Sequence, residues 1–93
     1  MATRYEVRTV VEDRGTEDES LAELLSRGLR GAVVDTAELR SVNNPGRLLV
    51  RQWFDAADAS EAQLAGLDSI RRVLRDAGLP ETLAGAPDVR AGS

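Results

Sequence analysis

The sequence contains no cysteine, no histidine and no lysine. Without cysteine the chain can form neither a disulfide nor a thiolate metal site, and it has no thiol nucleophile. The absence of histidine removes the commonest general base and the commonest neutral metal ligand. Because all twelve basic residues are arginine, Schiff-base chemistry through lysine is excluded as well. We therefore expect neither a cofactor nor a metal site.

Long apolar runs and an excess of positive charge are also missing. The net charge is -4 at pH 7, whereas phosphate binding normally needs a basic excess on at least one face, so the charge disfavours a nucleic-acid partner without excluding a local arginine patch. No run approaches the roughly 18 apolar residues that a membrane-spanning helix needs, and the amino terminus lacks an apolar signal core. These features predict a cytoplasmic protein that does not enter a membrane.

The composition predicts one folded domain. With 42% hydrophobic and 30% charged residues, a chain of 93 residues can form a single small core. We expect residues 1–80 to form this domain. Residues 81–93 contain two glycines and one proline without an apolar period, which predicts an irregular tail with Leu83 or Val89 docked on the domain.

Three segments have the period of two that is typical of β-strands: Tyr5–Glu12, Ala32–Val42 and Arg47–Ala56. Asn43–Gly46 carries a turn sequence, Asn-Asn-Pro-Gly, and therefore predicts a hairpin between the second and third strands. The predicted core side of the three strands consists of Tyr5, Val7, Val11, Ala37, Leu39, Leu48, Val50 and Phe54.

Two segments have the period of an amphipathic helix. The first follows Thr16 and Glu19, which have capping-box spacing, and it ends at Gly28 or Gly31. Its apolar stripe is Leu21, Leu24, Leu25 and Leu29. The second begins near Ser60, with Asp58 as an alternative cap, and ends at Gly78. Its predicted apolar stripe is Leu64, Leu67, Ile70, Leu74 and Ala77.

The element order is therefore β-α-β-β-α. A helical crossover leaves a gap between the first two strands, and the hairpin places the third strand in that gap, antiparallel to both. This is the split βαβ arrangement of ferredoxin-like α+β sandwiches. We expect a three-stranded sheet with both helices on one face, while the other face stays open.

The open face carries the candidate binding residues, which are Trp53, Arg51, Arg8, Arg40, Glu6 and Glu38. Trp and Arg are enriched at the energetic centres of protein interfaces, so Trp53 with Arg51 indicates a homodimer or a protein partner. Cross-strand Arg and Glu pairs on a solvated sheet are the plain alternative. A small-molecule ligand, held by arginines beside the ring, is a third interpretation.

The preferred function is a non-catalytic binding or accessory module. The alternative is a small cofactor-independent enzyme, similar to dimeric α+β barrel proteins, in which Glu6 or Glu38 transfers a proton during an isomerisation or cyclisation. Such a carboxylate would need a pKa raised by desolvation against Trp53. RNA stacking on the sheet is disfavoured because the first strand offers arginine and glutamate where an aromatic residue would be needed.

Overall fold

The computed structural model describes residues 2–15, 20–38 and 46–92. None of the helices within these ranges is both long and apolar enough to cross a membrane. The elements, in chain order, are β1 (Thr3–Asp13), α1 (Leu21–Gly28), β2 (Val33–Glu38), β3 (Gly46–Ala56), α2 (Ala59–Asp76), a short 3-10 helix (Glu81–Leu83) and β4 (Asp88–Ala91).

The long antiparallel pair of β1 and β3 forms the middle of the sheet. It runs in unbroken register from Thr3 opposite Ala56 to Asp13 opposite Gly46. The strand order is β2-β3-β1-β4, and every pair of neighbours is antiparallel. The predicted position of the third strand, between the first two and antiparallel to both, is confirmed.

The prediction of three strands is wrong, because a fourth strand lies beside β1. Asp88–Ala91 pairs with Tyr5–Arg8, and Leu83 and Ala84 are buried in the segment that leads to it. The backbone N–H of Gly85 donates to the carbonyl oxygen of Val10 at 2.9 Å. The segment expected to be an irregular tail thus contains a short helix and an edge strand.

Both helices pack on the same face of the sheet and enclose the core there. The period-two prediction for β1 and β3 is confirmed at Val7, Val11, Leu48 and Val50, which are all buried. Val11, Leu48 and Val50 form one cluster with buried side chains from the helices and from the residue that follows α1. These side chains are Leu21, Leu25, Leu29, Ile70 and Leu74.

The first helix begins later than the capping-box spacing predicts. Leu21 is its first residue, and the Ser20 side chain caps it by accepting a hydrogen bond of 3.2 Å from the backbone N–H of Glu23. Thr16 is therefore not the N-cap, and residues 16–19 lie outside the described part of the chain.

The second helix is capped by Asp58, the alternative that the sequence offered. Its carboxylate accepts a hydrogen bond of 2.9 Å from the backbone N–H of Glu61, so the helix begins one residue before Ser60. The predicted end is confirmed, since Gly78 has a φ of 75° directly after the C-cap residue Ala77.

The second strand is described only in its first half. Val34 lies opposite Val50 and Thr36 opposite Leu48, so these even-numbered positions share the side of the core residues. The register shifts after Thr36. The side chains at positions 37 and 38, and all of residues 39–45 with most of the predicted turn, lie outside the described part.

The buried stripe of α2 differs from the predicted one. Leu64 is 61% exposed, and the stripe instead contains Ala62 and Gly66 together with Ile70 and Leu74. The helix comes so close to β1 that a Cβ atom on Gly66 would lie 2.6 Å from Cγ1 of Val7. Small residues therefore face the sheet where the helix lies closest to it.

This close approach predicts the effect of Gly66→Ala. Alanine would favour the helix by about 1 kcal/mol, whereas overpacking costs about 1 to 3 kcal/mol. These two effects leave a net loss of at most about 2 kcal/mol in the free energy of unfolding. Because Val7 is fully buried and its branched side chain is stiff, we expect a loss near the upper end of that range. Urea unfolding measures this difference.

The matched control is the same substitution in a Val7→Ala background. There the contact with Cγ1 is gone, so Gly66→Ala should be neutral or stabilising. An equal loss of stability in both backgrounds would contradict the packing of Gly66 against Val7.

Candidate functional site

The face of the sheet that points away from the helices is not covered by any element among residues 2–15, 20–38 and 46–92. The antiparallel registers place alternate residues of the four strands on this open face. All of these side chains are exposed or half-buried: Arg4, Glu6, Arg8, Val10, Val33, Asp35, Leu49, Arg51, Trp53, Asp88 and Arg90.

Four of the six predicted site residues form one block at the middle of this face. Glu6 lies directly opposite Trp53, and Arg8 lies directly opposite Arg51. This arrangement follows from the unbroken register of β1 and β3. Arg40 lies outside the described residues. Glu38 is described only through its backbone pairing with Arg47.

The first ion pair of the block joins the β1 residues Glu6 and Arg8. The Nε atom of Arg8 donates a hydrogen bond to a carboxylate oxygen of Glu6. This hydrogen bond lowers the pKa of Glu6 below its ordinary value, and the positive charges of Arg51 and Arg90 act in the same direction. The same bond raises the pKa of Arg8. Glu6 is therefore held in its ionised form.

On β3, Arg51 interacts with groups on two sides. Its guanidinium carbon lies 5.8 Å from the centre of the Trp53 ring, which is within the range of a cation–π contact. A terminal nitrogen lies 3.7 Å from a carboxylate oxygen of Asp35 on β2. The Nε atom is buried and has no hydrogen-bond partner among the described residues. Arg51 thus has one donor that no described residue satisfies.

Apolar side chains lie next to this charged block. Val10 is 43% exposed and Val33 is 36% exposed. Val10 lies opposite the half-buried Leu49, and Val33 lies opposite Arg51. The open face therefore combines a ring, a guanidinium and three aliphatic side chains, which resembles the composition of an interface centre.

The structure adds three charged residues that sequence analysis missed. Asp35 lies beside Arg51, while Arg90 and Asp88 lie opposite Glu6 and Arg8 on β4. Arg90 and Asp88 also pair with each other at 3.5 Å. In β4 the charged residues Asp88 and Arg90 flank Val89, a pattern that indicates a short edge strand. In β2 the charged Asp35 follows Val34, which indicates that Asp35 lies on the polar side of that strand.

The carboxylates and the exposed ring determine what the described part of the open face can bind. In the part of the chain that the structure describes, no group of three acidic side chains is arranged to hold a metal ion. The carboxylate of Glu6 on the open face already accepts a hydrogen bond from Arg8. The face can bind a flat or apolar surface through Trp53, and the exposed part of the Arg51 guanidinium can donate hydrogen bonds to oxygen atoms.

The ion pair of Glu6 and Arg8 predicts a pH dependence of stability. A carboxyl group whose pKa is lowered on folding stabilises the protein above its unfolded pKa, near 4.5, and the effect is lost as the pH falls through the lower folded pKa. Glu6→Gln should therefore lower the free energy of unfolding at pH 7 and have little effect in acid. Urea unfolding between pH 7 and pH 3 measures this.

The control for this prediction is Arg8→Gln, which removes the hydrogen bond from the other side. In that background Glu6→Gln should no longer have its pH-dependent effect. A difference between wild type and Glu6→Gln that stays constant over the whole pH range would rule out the pair as its cause.

The chain was also compared with known proteins. No family model, curated protein or solved structure matches it. A function therefore has to be inferred from the arrangement of its own residues, above all from Trp53 and Arg51 on the open face.

Proposed function

We propose that this chain is a non-catalytic binding module of ferredoxin-like topology, and that it associates with a second copy of itself through the open face of its sheet. The observation that carries the proposal is the position of Trp53 and Arg51. The ring and the guanidinium lie together on the central strand β3, and no described element covers them.

The topology supports the ferredoxin-like part of the proposal. Both β1 and β2 are antiparallel to β3, so β1 and β2 are parallel and α1 is the crossover between them. Both β3 and β4 are antiparallel to β1, so α2 forms a second crossover of the same kind. Two interleaved βαβ units with the helices on one side are the arrangement of that fold.

The size of the open face determines how strong such an association can be. At roughly 3.4 Å per residue and 4.8 Å per strand, the face offers on the order of 500 to 600 Å² per subunit. Specific interfaces bury about 800 Å² per partner, so this dimer belongs to the weak and concentration-dependent class. A second copy is favoured over an unrelated partner because the face carries both charges, so the Glu6–Arg8 and Asp35–Arg51 pairs of one copy can lie against those of the other across a twofold axis.

The enzymatic alternative has less support. A carboxylate that takes up a proton during turnover needs a pKa near the working pH, and Arg8 instead lowers the pKa of Glu6. The binding function makes no such demand on Glu6. It requires only that Trp53 and its neighbours remain accessible.

The proposal predicts the oligomeric mass. Multi-angle light scattering at rising concentration should give a wild-type mass that increases from one chain toward two. Trp53→Ala should remain folded and weaken the association roughly 30-fold, since removing a central interface tryptophan costs about 2 kcal/mol or more.

The matched control is Leu64→Ala, which removes another exposed apolar side chain, on α2 and away from the open face. This variant should associate like the wild type. A wild-type mass of one chain at every concentration would refute self-association. Equal weakening by Leu64→Ala would place the interface on the helix side instead.

A further inference from the structure

A second concave surface lies mainly on the helix side of the sheet and reaches the edge of the open face at Arg4 and Trp53. It is a cleft of about 1050 Å³ between the end of α1, the last turns of α2 and β3. The cleft lies beyond the end of the pairing between β2 and β3. The pairing of β2 with β3 begins at Val33 opposite Arg51, so Gln52, Trp53 and Phe54 have no β2 neighbour and border the cleft.

The inner part of this helix-side cleft is apolar. Leu29 is buried, while Leu24, Phe54, Val73 and Leu79 are half-buried along its walls. Two polar side chains of the lining already have partners: the amide of Gln52 donates to the carbonyl oxygen of Gly66 at 3.1 Å, and the hydroxyl of Ser69 donates to that of Ala65 at 2.8 Å. These two polar groups are therefore not the main means of holding a ligand.

The exposed rim of the cleft is basic. It carries Arg4, Arg27, Arg30 and Arg72, with Asp76 as the acidic residue of the lining. Five arginines elsewhere, Arg8, Arg14, Arg51, Arg75 and Arg90, pair with carboxylates.

Arg4, Arg30 and Arg72 differ from the five paired arginines in the surroundings of their guanidinium groups. Within the described residues they have no ion pair. Three arginines that lack a carboxylate partner thus surround one cleft, in a protein whose net charge is -4. Such a concentration of positive charge favours an anionic ligand.

We infer that the helix-side cleft binds a small amphipathic anion, with an apolar body between α1, α2 and Phe54 and a carboxylate or phosphate head at the rim arginines. The volume is of the size found for small-molecule sites, which are mostly apolar with a few charged groups that fix orientation. A guanidinium donates two parallel hydrogen bonds to either head group. The site shares Arg4 and Trp53 with the edge of the open face, whereas Arg30, Arg72 and the apolar walls belong to the helix side.

The test is isothermal titration of the full chain with sodium decanoate, at concentrations where the probe is monomeric. The wild type should bind one decanoate per chain, and added salt should weaken binding. Arg72→Gln and Arg30→Gln should each weaken it roughly tenfold, the usual effect of losing a charge-assisted hydrogen bond. Decyl phosphate should displace decanoate because its head group offers the same paired oxygen atoms.

The chain provides a matched control in Arg71, which precedes Arg72 on α2, is also exposed and does not line the cleft. Arg71→Gln should leave the affinity unchanged within about twofold. Three results would overturn the inference: no saturable binding of decanoate, equal loss of affinity in Arg71→Gln and Arg72→Gln, or equal binding of decyltrimethylammonium, whose head group is a cation.

Discussion

The antiparallel pairing of β1 with β3 is the constraint on which the rest of the structure depends. Its register of eleven opposed pairs, from Thr3 and Ala56 to Asp13 and Gly46, has no bulge. Because side chains alternate along a strand, this register determines at once which residues enter the core and which face outward. A slip of one residue would exchange Val50 for Arg51 and Phe54 for Trp53, so the same pairing that builds the core also builds the open face.

The parts of the fold that sequence analysis predicts are those with a strong local period. Val7, Val11, Leu48 and Val50 alternate with polar residues in long strands, and the end of α2 has the glycine that a left-handed C′ position requires. The parts that it misses depend on tertiary contacts. β4 has only four residues, of which Val89 alone is half-buried, so the strand is too short to show an apolar period. Leu64 fits a helical stripe, but the sheet approaches α2 along Ala62 and Gly66 instead, and no period reports that distance.

The candidate site also has a part that the local sequence predicts and a part that depends on tertiary contacts. Trp53 and Arg51 can be located from β3 alone, since they are two residues apart and fall on the polar side of an amphipathic strand. Their partners cannot be located from β3 alone. Glu6 and Asp35 come near Arg51 because β1 and β2 pair with β3. Arg90 comes near Glu6 because β4, a strand that sequence analysis does not predict, pairs with β1. The helix-side cleft is further from prediction, because Arg4, Arg30 and Arg72 belong to three separate elements or connections and only the packed fold brings them around one space.

The central claim is that Trp53 lies on the surface through which two copies associate. Trp53 is the only tryptophan, so its fluorescence reports on this surface without interference. The most direct measurement is acrylamide quenching of that fluorescence at protein concentrations below and above the association midpoint. The account predicts that quenching weakens and the emission shifts to shorter wavelength as the concentration rises, because a second copy covers the ring. If the mass doubles while quenching and emission stay constant, the two copies meet elsewhere and the account of the open face is wrong.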